Sequence, residues 1–416
     1  MAGAVIPWVS PVPERPHFPP TASASGDIKS GAVENQPARP GHFAGRWRLV
    51  VGLTILFVLT CVAARWDSRT GFTELIRFGA KFERSRLPEL RSLPIKTMPG
   101  GGYDGQFYAQ LAVSPDVFRP EVQEATVHPA YRARRIILPL IAHMLGGGDP
   151  WRVLQVYALL NTVCWLAWSV LLLRTLSPLD APRLAVWLAC VLNLAVLDSV
   201  RESLTDLPAV LLMTAAIFWD ESGRRTRAAA ALAFSGLVRE TALVGVVALV
   251  RERPRRLKEL LRVALKGALV ATPLLLLVAW LHLEVDHGGG VRRGQFEWPF
   301  VQLADHLVLC VQRIAAGDWD GRYTFGIIGA LGLAYQSWFL LRHPQWNNAW
   351  WRSGIVFAVM FWFLAEDMWR GYWGSARVVL PMTLAFNLSL PRDRWFWLRL
   401  VGSNLCLLHG VWRMLP

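Results

Sequence analysis

The chain has 416 residues, of which 53% are hydrophobic and 18% are charged, and it carries a formal net charge of +14. Its mean hydropathy is +0.32, and its apolar residues form repeated runs of roughly 16–25 residues, the length that a bilayer core requires. This pattern excludes an ordinary soluble domain. Because the basic residues cluster between the apolar runs, the net charge indicates membrane orientation rather than nucleic-acid binding.

The amino-terminal region differs from the rest of the chain. Residues 1–45 are rich in Pro, Ala, Ser and Gly and show no periodicity, so we predict a disordered cytoplasmic tail. The next segment, RWRLVVGLTILFVLTCVAARW (46–66), has a basic start and an apolar middle. It predicts the first transmembrane helix, with its amino end in the cytoplasm. The polytopic membrane domain then covers 46–416.

A long polar loop, 67–150, follows the first helix. It contains an amphipathic stretch at 104–118 and a short apolar stretch at 134–148, which is too short to span and is expected to lie at the membrane interface. The remaining apolar runs predict an all-α polytopic protein with about 10–11 transmembrane helices. These later runs are 151–174, 183–199, 205–220, 227–250 (two short helices or a broken one), 262–282, 322–342, 352–369, 376–391 and 395–413.

The charges between the runs test the orientation. If 134–148 does not cross and 227–250 crosses twice, one set of alternating loops is consistently basic, and RERPRRLKELLR (251–262) alone has six basic residues. The positive-inside rule places this basic set in the cytoplasm. The other set is then extracytoplasmic and consists of 67–150, 198–205, the break near 239–240, 283–321 and 370–377.

The unusual ionisable residues fall in the extracytoplasmic set. Charges at membrane depth are costly and face a cavity or each other, so four segments that bring carboxylates and arginines to one side favour a shared wet site. Arginine can clamp a phosphate in a bidentate manner, and a carboxylate can act as a base. The alternative, that these groups are only internal ion pairs between helices, stays open.

Several motifs resemble the integral-membrane GT-C glycosyltransferases. The segments GYDGQFYAQLA and PAYRARRIILPLIAHML in the first outer loop, RESLTDLPAVLLMTAAIFW and SGLVRETALVG are similar to stretches of the mannosyltransferase-like branch. With GSARVVLPMTLAFN, the pattern looks most like bacterial proteins that form cell-surface glycopolymers. The chain departs from well-known members because a lone aspartate replaces an adjacent acidic pair, which puts dependence on a metal in doubt.

The resemblance implies a catalytic role for Asp104, at a glycine turn before a helix. It would deprotonate an acceptor hydroxyl while arginines hold the phosphate of a polyprenyl-phosphate sugar. The alternative is a helix N-cap, which aspartate favours. Tyr108 should share a face with Asp104, one turn on. The candidate substrate-binding residues are Tyr103, Gln106, Tyr108, Arg134, Arg135, Glu202, Asp206, Arg239, Glu240, Arg370 and Arg377.

The function expected from this resemblance is transfer of a hexosyl or pentosyl group to a cell-envelope glycan or lipid on the periplasmic face of the bacterial inner membrane. The expected partners are the polyprenyl-phosphate sugar, the acceptor and membrane lipids. No metal-binding residues are predicted, and a Mg²⁺ or Mn²⁺ cofactor stays an open alternative. The other function class is a flippase or transporter for a lipid-linked glycan, which would be favoured by an internal repeat.

The orientation can be tested by cysteine labelling in intact cells. We expect Ser92→Cys to react with an impermeant thiol reagent, because 67–150 is predicted to be outside, and Glu259→Cys to stay unlabelled until the cells are opened. The reverse labelling would place the first loop in the cytoplasm and remove the basis for the site.

Overall fold

A computed structural model describes residues 43–285 and 295–416. The predicted tail lies outside these residues except for its last three, and so does the part of the 283–321 loop at 286–294. The described part of 44–416 forms one compact unit. It is mostly α-helical, with three 3₁₀ segments (Thr73–Ile76, Ala80–Phe82 and Glu240–Leu249) and a two-stranded parallel pair, β1 (Phe78–Gly79) and β2 (Thr97–Met98).

The α-helices follow one another along the described chain with short connections. They are α1 (Phe43–Ala63), α2 (Pro88–Arg91), α3 (Gly105–Val113), α4 (Pro120–Thr126), α5 (Pro129–Ala133), α6 (Ile137–Leu145), α7 (Pro150–Thr175), α8 (Ala181–Val191), α9 (Leu194–Arg201), α10 (Asp206–Glu221), α11 (Arg225–Val238), α12 (Leu257–Glu284), α13 (Val301–Ala315), α14 (Gly321–Arg342), α15 (Ala349–Phe361), α16 (Glu366–Trp369), α17 (Tyr372–Val378), α18 (Leu380–Ser389), α19 (Phe396–Ser403) and α20 (Leu407–Met414).

Four of these helices are long and apolar enough to cross a membrane, namely α1, α7, α12 and α14. A fifth candidate is the pair α8 and α9, whose axes meet at a bend of 44°. The other predicted spans fall on shorter or broken helices. The run at 227–250, for example, divides into α11 and a 3₁₀ segment at Arg239, where the backbone is extended. The fold is therefore all-α with four to five individually long candidate spans, fewer than the predicted count.

Helix α12 has an unusually exposed apolar surface. Leucines along its length, including Leu265, Leu269 and Leu276, are more than half exposed. A leucine-rich helix with this much free apolar surface fits a neighbour made of lipid chains. The packed interior lies elsewhere, around α7, α8 and α10, where buried tryptophans donate their indole N–H groups to neighbouring helices. Trp165 donates to Val191 O at 2.9 Å, and Trp168 donates to the Thr214 hydroxyl at 2.9 Å.

The amphipathic stretch predicted at 104–118 has a different environment from the one expected. Helix α3 covers only Gly105–Val113, and all nine of its residues are buried. Its polar side chains bind backbone groups instead of water, since Gln110 accepts from Leu87 N and donates to Ala125 O. Helix α6 does keep one buried and one exposed apolar face, with Met144 and Leu145 strongly exposed.

Charged residues predicted on the same side of the membrane contact one another. In the basic set, Arg392 pairs with Asp180 at 2.7 Å and Arg251 pairs with Asp220 at 3.0 Å. In the other set, the side chain of Ser203 bonds Leu75 O at 3.0 Å, and Arg65 at the end of α1 bonds the carbonyls of the last residues. The fold thus groups the loops as the charge pattern predicted.

The contact between α15 and α18 gives a test of the packing. A Cβ atom at Gly354 would fall far inside van der Waals contact with the Ala385 side chain, whereas one at Gly52 in α1 would meet nothing within 4 Å. We expect Gly354→Ala to lower the free energy of unfolding by about 1–3 kcal/mol through overpacking. Thermal unfolding in detergent would measure it. An equal effect of Gly52→Ala, the matched control, would contradict the close packing.

Candidate functional site

A clamped glycine turn positions the start of α3. Gly100 and Gly102 have positive φ values of 83° and 63°, and a Cβ at Gly102 would clash with the backbone of Arg77 and Gly79. The Gln106 side chain holds the turn, because it accepts from Gly79 N at 3.0 Å and donates to Gly101 O at 2.7 Å. The prediction that Gln106 binds substrate is therefore replaced by a positioning role.

Asp104 is the residue that this turn presents. It occupies the N-cap position of α3, but its side chain makes no capping hydrogen bond. Instead, one carboxylate oxygen accepts from Arg132 at 2.9 Å, and the other lies 4.0 Å from the Arg377 guanidinium. The side chain is 38% exposed. Its carboxylate therefore faces arginines on one side and open space on the other, which an N-cap role does not explain.

The electrostatic surroundings keep Asp104 ionised. Burial raises the pKa of this carboxyl, but the Arg132 and Arg377 guanidiniums outweigh it and hold the pKa below its usual value. The neighbouring Tyr103 behaves in the opposite way, since burial raises the pKa of its phenol to about 12. At neutral pH the site thus presents a carboxylate anion beside a neutral phenol.

Asp206 links two arginines from distant segments. It lies in the first turn of α10 and is almost completely buried. One oxygen accepts from Arg377 Nη2 at 2.9 Å and Nε at 3.1 Å, and the other oxygen pairs with Arg239. Arg377 also donates to the Tyr103 hydroxyl at 2.7 Å. Arg377 is therefore the link between the buried carboxylate and the glycine turn.

Arg135 forms the second buried ion pair. It binds both oxygens of Glu240, at 2.8 and 2.6 Å, and donates to the hydroxyls of Tyr108 at 2.7 Å and Tyr131 at 2.8 Å. Tyr108 is fully buried and thus acts as a support rather than as an open substrate contact. It does share a face with Asp104, since the Arg132 guanidinium that binds Asp104 also lies over both rings of α3, Phe107 at 4.2 Å and Tyr108 at 5.5 Å.

Adjacent Arg239 and Glu240 do not pair with each other, contrary to one of the alternatives. The extended backbone at Arg239, with φ −155°, turns consecutive side chains to different partners. Arg239 binds Asp206 and, at 3.1 Å, the Thr241 hydroxyl, while Glu240 binds Arg135. The two residues join two ion pairs into one buried group, called here the central cluster: Asp104, Arg132, Arg135, Asp206, Arg239, Glu240 and Arg377.

Two predicted site residues lie apart from this cluster. The Arg370 side chain is 69% exposed and pairs only with Glu366 at 3.5 Å and Asp367 at 3.4 Å, one turn before it. Arg134 is half-buried and lies 6.0 Å from the Tyr131 ring, with no ion pair in the part of the chain that the structure describes. We therefore remove both residues from the set that surrounds Asp104.

Glu202 belongs to a neighbouring group that sequence reasoning missed. It accepts from Arg201 at 2.9 Å and from Arg413 at 3.1 Å, and Arg413 also binds Asp198 at 2.9 Å. Arg413 ends the final helix, on the predicted outer side, where the positive-inside rule does not expect a cation. That misplaced charge is the sequence signal that could have revealed this group.

A basic cavity of about 430 Å³ opens beside Arg413. Arg77, Arg201, Arg322 and Arg413 line it together with Trp373, His409 and Trp412. Arg77 has a left-handed backbone with φ 63°, and its carbonyl accepts from Tyr103 N at 3.0 Å. Because Tyr103 precedes Asp104, this arginine cavity and the central cluster are joined through one short segment of chain.

Metal ligands were sought separately. Within 43–285 and 295–416, no group of three or more His, Cys, Asp or Glu side chains is arranged to hold a metal ion. The residues of the central cluster alternate in charge, so each carboxylate there already has an arginine partner.

Comparison with known proteins adds no relative. No protein-family model, no curated protein and no solved structure matches this chain. The chemistry of the site therefore follows from its geometry alone. The partly exposed Asp104 can accept a hydrogen bond or a proton, while the arginine cavity can bind an anion.

The buried pair of Arg135 and Glu240 yields a stability prediction. Glu240→Gln leaves the nearly buried Arg135 without its counter-ion, so we expect a loss of about 3 kcal/mol, the lower end of the range for broken buried pairs. Unfolding in detergent and protein abundance in membranes would measure it. Glu366→Gln is the control, since its pair with Arg370 is exposed and should contribute under about 1 kcal/mol. Equal losses in the two variants would contradict the buried pair.

Proposed function

We propose that the protein is a membrane glycosyltransferase of the GT-C type, which moves a sugar from a polyprenyl-phosphate donor to a cell-envelope glycan or lipid acceptor on the periplasmic face of a bacterial inner membrane. The observation that carries the proposal is Asp104, an ionised carboxylate that is partly exposed, makes no capping bond and is held by Arg132. A side chain required only for the fold would be satisfied on all sides, as Asp206 is by two arginines.

In this proposal Asp104 is the general base. An acceptor hydroxyl hydrogen-bonds to its exposed oxygen, and the proton moves to the carboxylate as the new glycosidic bond forms and the bond to the donor phosphate breaks. A low pKa makes Asp104 a weak base toward a free alcohol. The transfer is favourable only late in the reaction, when bonding to the sugar carbon has acidified the hydroxyl. Arg132 and Arg377 fix the carboxylate in position.

The donor phosphate is assigned to the arginine cavity instead of the arginines first suggested by sequence. Arg135, Arg239 and Arg377 are occupied by Glu240 and Asp206. In the cavity, Arg77 has no carboxylate within salt-bridge distance among the described residues, and burial lowers the pKa of its guanidinium, as do the nearby charges of Arg413 and Arg65. A phosphate would relieve that repulsion, and the rings of Trp373 and Trp412 offer surfaces for a sugar.

The competing function is a flippase or transporter for a lipid-linked glycan. It would use the same arginine cavity to bind a phosphate but would have no need of a proton acceptor at Asp104. The two functions therefore differ in what they require of this one carboxylate, and a change that removes its basicity while preserving its shape separates them.

We expect Asp104→Asn to accumulate like the wild type and to bind donor, because the amide can still accept from Arg132. We expect transfer to fall by roughly a hundred- to ten-thousand-fold, the usual contribution of a general base. Asp104→Glu should also be impaired, since a misplaced reacting group can cost on the order of a hundredfold. The measurement is transfer of radiolabelled sugar from polyprenyl-phosphate donors into envelope glycans in membranes.

Asp116→Asn is the matched control. This aspartate lies in the same loop, is exposed and accepts from Phe118 N at 3.0 Å, so its loss should leave transfer unchanged. Full transfer activity in Asp104→Asn would remove the base and with it the enzymatic proposal. Retained movement of the labelled lipid across the membrane in that variant, with no transfer by the wild type, would favour the flippase.

A further inference from the structure

A second cavity, of about 520 Å³, lies at the other end of the molecule, among the residues of the basic set. Three elements form it: α11, the 3₁₀ segment Glu240–Leu249, and α12. Its inner wall is apolar and includes Val246, Leu249, Leu269 and Val270. We call it the lower groove. None of its residues belongs to the central cluster or the arginine cavity.

Basic side chains from separate elements stand around the lower groove. Arg225 begins α11, while Arg262 and Lys266 lie one turn apart on α12. All three are exposed. In the described chain none of the three has a carboxylate within salt-bridge distance, so their charges are directed to whatever occupies the groove.

The acidic residues around the lower groove are mostly engaged elsewhere. Asp220 binds Arg251 at 3.0 Å. Glu259 accepts from the backbone N–H groups of Arg255 and Arg256, at 2.7 and 3.3 Å, and so caps the start of α12. Glu252 is exposed and contributes one negative charge. The balance of free charge therefore stays positive, and it lies beside an apolar wall.

We propose that the lower groove binds an anionic phospholipid of the surrounding membrane. Its phosphate headgroup lies between Arg225, Arg262 and Lys266, and one acyl chain follows Leu249 and Leu269. Charge complementarity and the adjoining apolar wall select a molecule that is both anionic and amphiphilic. Basic pockets between membrane helices on the cytoplasmic side bind such headgroups. Helix α12, whose leucines are largely exposed, would be held against α11 by this lipid.

This inference does not depend on the proposed reaction, because it concerns the opposite end of the molecule. A bound lipid at this place would make the packing of α12 dependent on the composition of the membrane. A soluble phosphate compound could use the three cations but would gain nothing from Leu249 and Leu269. The contribution of the acyl chain therefore separates the two sources of phosphate.

The test uses the full chain, purified in detergent and titrated with phosphatidylglycerol, with native mass spectrometry or thermal stabilisation as the readout. Parallel titrations use phosphatidylcholine, which has no net charge, and glycerol 3-phosphate, which has no acyl chain. We expect phosphatidylglycerol to bind most tightly. The double variant Arg262→Gln, Lys266→Gln should weaken its binding roughly 25-fold, at about fivefold for each charge near a membrane surface.

The control is the double variant Arg253→Gln, Lys258→Gln, which removes two exposed charges from the same basic segment but outside the groove. We expect its affinity for phosphatidylglycerol to change by less than about twofold, because neither charge reaches the groove. Equal weakening in both double variants would show nonspecific attraction and overturn the proposal. Binding of glycerol 3-phosphate as tight as that of phosphatidylglycerol would also overturn it, in favour of a soluble ligand.

Discussion

The arrangement of charges depends on one carboxylate, Asp206, which is buried and shared by Arg239 and Arg377. An isolated ion at this depth would be too costly, so each member of the group is stable only while its partners are present. The three residues come from α10, from the break after α11 and from α17. Their pairing therefore joins segments that are far apart in the sequence at a single point.

Arg377 carries this constraint to the exposed end of the cluster. It reaches the Tyr103 hydroxyl and approaches Asp104, while Gln106 holds the glycine turn from the other side. Asp104 is thus positioned by residues that are themselves locked, as a reacting group must be. The same turn contacts Arg77 of the arginine cavity. A carboxylate and a basic cavity are therefore held in a fixed relation without a long connecting loop.

Sequence reasoning predicted the helical class, the break within 227–250 and the gathering of charged segments, because apolar run length and charge distribution are local properties. It could not predict which charges pair. Arg377 and Asp206 are 171 residues apart, and neighbouring Arg239 and Glu240 diverge because of one extended residue. The burial of α3 was also hidden, since its glutamines look solvent-facing until their backbone partners are known.

The central structural claim is that Asp206 and Arg377 are energetically coupled. A double-mutant cycle tests it directly, with the free energies of unfolding of the wild type, Asp206→Asn, Arg377→Gln and the double variant measured in detergent. The account predicts a coupling of about 0.5–3 kcal/mol, with the double variant less destabilised than the sum of the single variants. Effects that add within about 0.5 kcal/mol would contradict it, because residues without a shared interaction behave in that way.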